Sequence, residues 1–352
     1  MRVIRDKNDR MMKLSDNVFN ARQVRSAPKL KLWRYAGLML TYRCNAACAF
    51  CYYYCGPQAG GLLPVETAMD AWAALRRLAG DSARVHLTGG EPFLYFDRLL
   101  EICEQAQRRT LGGVDFVETN GGWVADETSV RRRLRALNAA GVRRLKISWD
   151  LFHAEFVPVE KVRLLVRLAG EQFGPDGVLV RWQHRLDNPL EAVAMDEAGR
   201  LDAMRAEMNE HGGRFTGRAA QRLGPLCATI PPQELAGRHC RRAILGAKGV
   251  HIDPYGNVFS GQCSGMTVGN LAEAGLDGLW KSFDPHLSDF WGRLYARGPS
   301  GLLDSAVAAG YEPRTAYASK CHLCADIRRF YFDTGRFLSI IGPDACYGKM
   351  SL

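Results

Sequence analysis

The sequence predicts an α/β protein built as a partial (β/α)6 parallel barrel, followed by a small C-terminal cysteine-rich α+β domain. Two observations predict the barrel. Short apolar runs alternate with amphipathic helical patterns from residue 35 to about residue 220, which is typical of a parallel sheet covered by helices. The unusual polar motifs also fall where these runs end, and parallel barrels place their chemistry on the loops that follow their strands.

Two kinds of apolar spacing place the elements of the predicted barrel. Short apolar runs bounded by turn residues indicate buried strands, and apolar residues three or four positions apart indicate amphipathic helices. The predicted strands cover residues 35–42, 84–92, 114–122, 144–150, 177–184 and 212–219. The helical stripes are Val65, Met69, Trp72, Leu75 and Leu78; Leu99, Leu100, Cys103 and Ala106; Val130, Leu134 and Leu137; Val162, Val166 and Phe173; and a last helix near 196–210. Gly141 is placed to end the third helix.

The pattern changes near residue 225, where Gly and Pro become more frequent and the apolar runs shorten. The segment HIDPYGNVFS, residues 251–260, predicts a β-hairpin with its turn at 254–257. We therefore predict three regions. They are a basic N-terminal extension with one amphipathic helix over 1–34, the barrel over 35–225 and the cysteine-rich domain over 226–352.

Composition and charge exclude some classes of protein. The net charge of +10 comes from 47 basic and 37 acidic residues, and the basic residues are scattered over helix faces, which favours a solvated surface over a nucleic-acid site. No run approaches the 18–20 apolar residues, roughly, of a membrane span. The first residues lack the apolar core of a secretory signal. We therefore expect a cytoplasmic protein with neither a membrane nor a nucleic acid as partner.

Eleven cysteines in a chain without a secretory signal favour metal ligands or reactive thiols over disulfides. Three of them, Cys44, Cys48 and Cys51, lie in the segment CNAACAFC at the end of the first predicted strand. Iron–sulfur clusters usually take four thiolates, so three would leave one iron of a four-iron cluster open. Zinc is the alternative, but structural zinc sites normally use four ligands with C-x2-C spacing.

The chain resembles the radical S-adenosylmethionine (SAM) superfamily. The resemblance rests on the three thiols, on Phe50 before the last of them, and on Gly89-Gly90-Glu91-Pro92 after the second strand, and it covers about residues 35–220. It implies that SAM binds the open iron and is cleaved by one electron to methionine and a 5′-deoxyadenosyl radical, which takes a hydrogen atom from the substrate. A flavodoxin- or ferredoxin-type protein would donate the electron.

The resemblance also implies which residues contact SAM. Glycines without a Cβ would let the GGEP turn approach the SAM ammonium, Glu91 would help to hold that group, and Pro92 would fix the turn that follows. The implied cofactor-binding residues are Phe50, Gly89, Gly90, Glu91, Pro92, Glu118, Asn120, Ser148 and Gln183. Asn120 precedes a glycine, so it could equally be a turn residue. Asp150 and His153 follow the fourth strand as catalytic candidates, or they cap its loop.

Four later cysteines resemble an auxiliary-cluster module called twitch, a shortened relative of the SPASM domain. Cys240 and Cys263 bracket the predicted hairpin, Cys321 and Cys324 form a C-x2-C pair, and Gly269-Asn270-Leu271 follows the hairpin. The resemblance implies a second four-iron cluster with full cysteine ligation. Zinc is again the alternative, because C-x2-C alone does not separate the two.

The remaining thiols have open roles. Cys346 and Cys227 are candidate hydrogen-atom donors, substitute ligands or inert thiols. Cys55 could be structural, and Cys103 lies on an apolar helix stripe and is expected in the core.

The reaction type also stays open. A small polar molecule or a peptide could be oxidised, epimerised, cyclised or crosslinked. About 34 residues precede the first strand, and we expect these to be too few for a domain that recognises the leader of a peptide substrate. The alternative from another class is a zinc-stabilised binding protein without enzymatic activity.

Overall fold

A computed structural model describes residues 12–189, 195–261 and 263–349. These residues form one eight-stranded sheet with the strand order β5-β4-β3-β2-β1-β6-β7-β8. The strands are β1 (Tyr35–Met39), β2 (Arg84–Thr88), β3 (Val114–Thr119), β4 (Leu145–Ser148), β5 (Val178–Arg181), β6 (Gly249–Ile252), β7 (Asn257–Ser260) and β8 (Thr267–Asn270). The six strands from β5 to β6 pair in parallel, while β7 and β8 add antiparallel pairs. The α/β class with an open, mostly parallel sheet is therefore confirmed.

Helices of very different lengths connect the strands. They are α1 (Val18–Arg22), α2 (Val65–Ala79), α3 (Phe96–Arg108), α4 (Glu127–Ala139), α5 (Leu151–Ala154), α6 (Val159–Phe173), α7 (Gln183–Asp187), α8 (Glu197–His211), α9 (Gly217–Arg222), α10 (Arg241–Leu245), α11 (Leu271–Ser282), α12 (Asp289–Arg297), α13 (Ser300–Val307) and α14 (Lys320–Asp333). None of them, in the part of the chain that is described, is long and apolar enough to cross a membrane.

Four long helices lie between the strands of the barrel where the predicted stripes lie. Most stripe residues of α2, α3 and α4 are buried. In α6, Val162 is buried but Val166 and Phe173 are half-buried, and the buried face also contains Leu165, Leu168 and Ala169. The side chain of Asp126 caps α4 by accepting a hydrogen bond from the backbone N–H of Ser129, which satisfies one of the free donors of the first turn. Gly141, with φ +87°, follows the last turn of α4, where a left-handed residue ends a helix.

One predicted strand is wrong, and another is shorter than predicted. Residues 212–219 form a loop and the start of α9 rather than a sixth strand. Gly212 and Gly217 adopt positive φ there, which interrupts an extended run. The sixth parallel strand is instead β6, which pairs with β1 from far along the chain. The fifth strand ends at Arg181, because Trp182 is left-handed and α7 begins at Gln183.

The C-terminal strands continue the sheet that the barrel begins. The predicted hairpin is present, with Val250 opposite Ser260 and Ile252 opposite Val258, and its turn lies at 253–256. The first strand of this hairpin also pairs with β1, so the sheet runs across the boundary predicted near residue 225. That boundary stays a prediction.

The N-terminal extension packs on the C-terminal helices. The side-chain amide of Asn17 donates hydrogen bonds to the carbonyls of Trp280 and Phe283, at 2.6 and 2.9 Å. The predicted amphipathic helix is only the five residues of α1 in the described part. The rest of that prediction, over residues 1–11, lies outside the described residues.

Candidate active site on the inner face of the sheet

A cavity of about 470 Å³ follows the inner face of the parallel strands up to their carboxyl ends. Three groups of side chains line it. Thiols and aromatic rings of the loop after β1 form the upper wall, and polar side chains of β2, β3, β4 and β6 form the floor. Two arginines, Arg181 and Arg214, complete the wall.

The three predicted thiols lie together at the upper end of this cavity. Cys44, Cys48 and Cys51 all line it, with Cys44 and Cys48 buried and Cys51 half-buried. Two of the sulfur atoms accept hydrogen bonds from nitrogen. Cys44 Sγ accepts from the side-chain amide of Asn120 at 3.4 Å, and Cys51 Sγ accepts from the backbone N–H of Cys55 at 3.3 Å. Such bonds are characteristic of cluster-binding thiolates, whose potential they tune.

Arg218 fixes the shape of the thiol loop. Its guanidinium donates to the carbonyls of Cys48 and Cys55, at 3.0 and 2.9 Å. The hydrogen bond with Cys55 lowers the pKa of Cys51 to about 6, which the positive charge of Arg218 supports against the effect of burial. Burial instead raises the pKa of Cys44. The loop therefore contains one thiol that ionises readily at neutral pH.

The two glycines of GGEP bring their turn against the backbone that leads into the thiol loop. Gly90 N–H donates to the carbonyl of Thr41 at 2.7 Å, and Glu91 N–H donates to that of Arg43 at 2.9 Å. A Cβ on Gly90 would overlap the backbone carbonyl of Arg43, and one on Gly89 would overlap that of Thr41. The glycines are therefore required for close packing between two backbone segments, and both also line the cavity.

Glu91 is the acidic residue of the GGEP turn. Its side chain is fully buried and does not line the cavity. One oxygen accepts from Thr119 Oγ1 at 2.9 Å and Phe93 N–H at 3.1 Å, and the other accepts from Asn120 N–H at 2.7 Å. Burial raises the pKa of this carboxyl to about 7. The carboxylate holds the GGEP turn to the end of β3, and its contact with an ammonium stays a prediction. Pro92, also buried, starts the turn that follows and does not line the cavity.

Three predicted cofactor-binding residues do line the cavity near the thiols. Asn120 and Ser148 lie at the ends of β3 and β4, and Phe50 lies between Cys48 and Cys51. The ring of Phe50 stacks on Phe152 with centroids 5.3 Å apart. The Asn120 side chain also donates to Asn45 Oδ1 at 3.1 Å, and its own oxygen accepts from Gly122 N–H.

Glu118 faces the same cavity from lower down β3. Its carboxylate forms an ion pair with Lys146 on β4 at 2.7 Å and accepts from Thr88 Oγ1 at 2.6 Å. The residues are direct neighbours in the sheet. Burial by itself raises the pKa of Glu118, but the interactions with His86 and Lys146 and these hydrogen bonds lower it to about 2. A carboxylate held in this way is ionised at neutral pH.

Asp150 caps the helix after β4, as one predicted alternative states, and His153 lines the cavity. A catalytic role for either residue stays a prediction. The Asp150 side chain caps α5 by accepting from the N–H groups of Phe152 and His153. The imidazole of His153 lines the cavity and shares a 2.7 Å hydrogen bond with the same carboxylate. Burial lowers the pKa of His153, but Asp150 and Cys48 outweigh it and hold the pKa well above its usual value.

Besides Glu91, Pro92 and Asp150, two more predicted site residues do not line the cavity. Gln183 is exposed in α7, where its amide donates to Asp187 at 2.8 Å. The prediction placed it at a strand end, but that strand stops two residues earlier. The thiol of Cys346 is buried with its sulfur 3.5 Å from the hydroxyl of Tyr42, and it does not line this cavity. Its role as a hydrogen-atom donor stays a prediction.

Sequence reasoning missed several cavity residues, among them His86, His251, Arg181 and Arg214. His86 and His251 lie in the middle of strands, and only the pairing of β1 with both β2 and β6 brings them together. His86 could have been identified as a cavity residue from the sequence, because it is a polar residue in an otherwise apolar strand. No local signal marked Arg214, which lies in the segment predicted as a strand.

The residues at the upper end of the cavity fit a four-iron cluster with one open iron. Three thiols line one cavity, nitrogen donors reach two of the sulfurs, and the space beside them can hold a ligand. Within the described residues, no three His, Cys, Asp or Glu side chains are arranged to hold a single metal ion. Cluster ligands bind separate irons, so a set of thiols can suit a cluster without that geometry.

The four C-terminal thiols come from three distant segments. Cys240 precedes α10, Cys263 follows β7, and Cys321 and Cys324 lie in the first turns of α14. Burial and the nearby Cys324 raise the pKa of Cys240 to about 12 and that of Cys263 to about 11. The Cys240 thiol also interacts electrostatically with Cys263 and Cys321, so the four lie near one another.

Comparison with known proteins identifies the part of the chain that contains this site. Residues 38–179 match the Radical SAM superfamily. A GTP 3′,8-cyclase of Synechococcus sp. (strain CC9605) is 32% identical over 200 residues, which are 54% of this chain and 51% of that protein. The putative peptide biosynthesis protein YydG of Bacillus subtilis (strain 168) is 26% identical over 133 residues, 35% of this chain and 38% of that one.

The chain thus spans about half or less of the length of these relatives. Among solved structures, BtrN in complex with AdoMet and 2-DOIA aligns over 75% of this chain and 87% of its own, with a TM-score of 0.44 and 16% identity. The superfamily match begins within β1 and ends in β5, and so contains the three thiols and the GGEP turn. The part of the chain that matches the Radical SAM superfamily is therefore the part that holds this candidate site.

Proposed function

We propose that this chain cleaves SAM reductively and removes a hydrogen atom from a substrate bound deeper in the same cavity. One observation carries the proposal. The thiols of Cys44, Cys48 and Cys51 line one cavity together with Gly89 and Gly90, and no fourth ligand is needed if SAM takes the remaining iron. When bound, the cluster supplies the electron that splits SAM.

The residues around the thiols have separate tasks in this proposal. The backbone of Gly89 and Gly90 faces the ammonium of SAM, while Glu91 holds their turn in place from behind. Asn120 and Ser148, at the ends of β3 and β4, contact the ribose and methionine parts. Phe50, packed on Phe152, closes the wall beside them and excludes water.

Asp150 orients His153 at the edge of the thiol loop. The 2.7 Å hydrogen bond between them fixes the ring, and the thiol of Cys48 also interacts with this imidazole. His153 therefore acts on the cluster environment as a positioning residue, since it contacts both a ligand thiol and the cavity.

We further propose that Cys240, Cys263, Cys321 and Cys324 bind an auxiliary four-iron cluster with no open iron. Their mutual proximity supports this, and Arg328 contacts Cys324 and lies near Cys263. A buried cation beside the thiolates would offset part of their negative charge. This cluster would transfer electrons or shape the pocket, and a flavodoxin- or ferredoxin-type protein would supply the first electron.

The substrate is a small polar molecule or a peptide. One similar protein is named as a GTP cyclase and another as a peptide biosynthesis protein, so both classes occur among similar sequences. The modification is an oxidation, epimerisation, cyclisation or crosslink that begins with the removed hydrogen atom.

The test combines metal analysis with SAM cleavage on anaerobically reconstituted protein. We expect about eight irons and no zinc per chain, and 5′-deoxyadenosine after reduction with dithionite. Changing Cys44, Cys48 and Cys51 to Ala should remove about four irons and all SAM cleavage. Changing Cys321 and Cys324 to Ala should remove about four irons, those of the auxiliary cluster. The matched control changes Cys103 and Cys227 to Ala, two thiols outside both sets, and keeps the iron.

Three results would contradict parts of this proposal. SAM cleavage that survives loss of the first three thiols contradicts the assigned function. About four irons with one zinc would make the C-terminal site a structural zinc site. About four irons and no zinc would mean that the C-terminal thiols bind no metal.

A further inference from the structure

We propose that the inner end of the cavity binds an anionic group of the substrate, a carboxylate or a phosphate, through the Arg214 guanidinium, with the His86 imidazole as a second hydrogen-bonding partner. The inference rests on the proposed function, because it assigns the lower part of the same cavity to the substrate.

Arg214 is a cation without a carboxylate partner among the described residues. It lies in the loop between α8 and α9, lines the cavity, and holds its guanidinium 4.7 Å from the centroid of the Tyr52 ring. Glu118 is the one carboxylate among the cavity-lining residues, and Lys146 already pairs with it at 2.7 Å. A guanidinium left with only an aromatic face is suited to bidentate recognition of a carboxylate or phosphate.

The second cavity arginine has other contacts. Arg181 donates to the hydroxyl of Tyr52 at 3.2 Å and packs over Phe50 and Trp182. Both arginines contact the thiol loop, Arg181 through Phe50 and Arg214 through Tyr52. Within the described residues, only Arg181 has a side-chain hydrogen bond as well, and it also packs on Trp182. Arg214 is the guanidinium left for the substrate.

The floor of the cavity contains an unsatisfied nitrogen. His86 is 3% exposed, and its Nδ1 has no hydrogen-bond partner among the described residues. Burial lowers the pKa of this imidazole to about 3, so the ring is neutral. In the tautomer that carries its proton on Nδ1, the neutral ring donates to an anion. That hydrogen bond would recover the free energy that a buried polar atom without a partner costs.

His251 links the unsatisfied nitrogen to Arg214. The His86 and His251 rings lie 5.4 Å apart across Gly37, and Nδ1 of His251 is 3.3 Å from the carbonyl of Gly261. The positive charge of Arg214 acts on His251, which places the arginine at the same end of the cavity. His251 is therefore the neighbour of His86 and is also under the influence of the Arg214 charge.

The position of Arg214 also suits a substrate that lies between the two sets of thiols. Its charge acts on Cys263 and Cys321 of the C-terminal set, while its side chain lines the cavity of the first set. An anion held there would place the rest of the substrate toward the SAM side. This is the direction from which a hydrogen atom would be removed.

The test measures how fast phenylglyoxal modifies Arg214 in the reconstituted full chain with saturating SAM, by peptide mass spectrometry. Arg135, exposed on α4, is the internal control. We expect saturating inorganic phosphate or succinate to slow modification of Arg214 roughly tenfold relative to chloride at equal ionic strength. Modification of Arg135 should not change. Protection by succinate alone assigns a carboxylate, and protection by phosphate alone assigns a phosphate.

A variant tests the second partner. His86→Leu should reduce the protection of Arg214, whereas His286→Leu, which removes an imidazole packed on Phe19, should not. If neither anion protects Arg214, or if SAM alone protects it fully, the proposal is wrong. To distinguish failure of this subsite from failure of the proposed function, iron content and SAM cleavage are measured on the same preparation. A preparation that binds iron and cleaves SAM without anion protection overturns the subsite only, and one that binds no iron overturns the proposed function.

Discussion

Two carboxylates on the same side of the barrel, Glu91 and Glu118, have different tasks because their partners differ. Glu91 accepts hydrogen bonds from neutral donors, so burial dominates and raises its pKa to about 7. Glu118 is paired with Lys146, so it stays ionised in spite of burial. The motif GGEP predicted the position of Glu91 at the site but not the direction of its side chain. That direction depends on Thr119 and Asn120, which belong to another strand.

At the scale of single residues, we expect Glu118→Gln to destabilise the protein at neutral pH. A carboxyl whose pKa falls from 4.5 to about 2 on folding stabilises the folded state above the unfolded value. That stability is lost as the pH falls through about 2. The expected loss at pH 7 is on the order of 2–3 kcal/mol. Urea unfolding of both proteins between pH 7 and pH 3 measures it.

The control for this prediction is Glu155→Gln, which changes an exposed carboxylate. The difference between wild type and Glu118→Gln should shrink as the pH is lowered below about 4.5, because the wild-type carboxylate then approaches protonation. A difference that is constant over the whole range would mean that the ion pair with Lys146 does not stabilise the fold.

At the scale of elements, local patterns predicted the long helices and failed where pairing is distant. The stripes of α2, α3, α4 and α6 are visible in the sequence because one helix face is buried along its whole length. The partner of β1 on its second side is not visible, since β6 lies more than two hundred residues further along the chain. The loop at 212–217 was predicted as a strand, and it instead positions Arg214.

Gly37 of β1 lies between β2 and β6, where three strands meet. A Cβ at position 37 would overlap the imidazoles of both His86 and His251, which are its direct neighbours in the sheet. Gly37→Ala should therefore destabilise the protein by about 1–3 kcal/mol. In a His251→Ala background the same change should cost less, because one ring is gone. The coupling energy of this double-mutant cycle should be on the order of 0.5–3 kcal/mol.

Gly60→Ala is the matched control for this cycle, since a Cβ there meets nothing within 4 Å. It should change the free energy of unfolding little in either background. Equal costs of Gly37→Ala with and without His251 would show that the imidazole does not occupy the space above the glycine.

At the scale of the whole molecule, the three regions predicted from the sequence are joined in two ways. One sheet runs through the barrel and the C-terminal region, and an N-terminal strap, the segment around residues 30–33, packs on the C-terminal region. Strand β1 lies between β2 of the barrel and β6 of the C-terminal region. Trp33 and Leu30, in the predicted N-terminal extension, are fully buried, and Lys31 N–H donates to the carbonyl of Leu245. Changes in composition marked the cysteine-rich region, but composition carries no information about which strand edges meet.

We therefore expect the predicted barrel alone, residues 35–225, to be unstable as an isolated fragment. Removing β6 would expose the backbone N–H and C=O groups of Tyr35–Leu38 along one edge of β1, and an unpaired apolar edge promotes aggregation. The inner wall would also lose His251.

A fragment of residues 12–349, which keeps β6 and the N-terminal strap, is the matched control. Soluble yield and hydrogen exchange of the β1 amides are the measurements. The fragment 35–225 should aggregate or exchange these amides rapidly, whereas 12–349 should protect them. A soluble monomer of 35–225 with protected β1 amides would contradict this expectation, because the barrel would then fold without the strand that completes its parallel sheet.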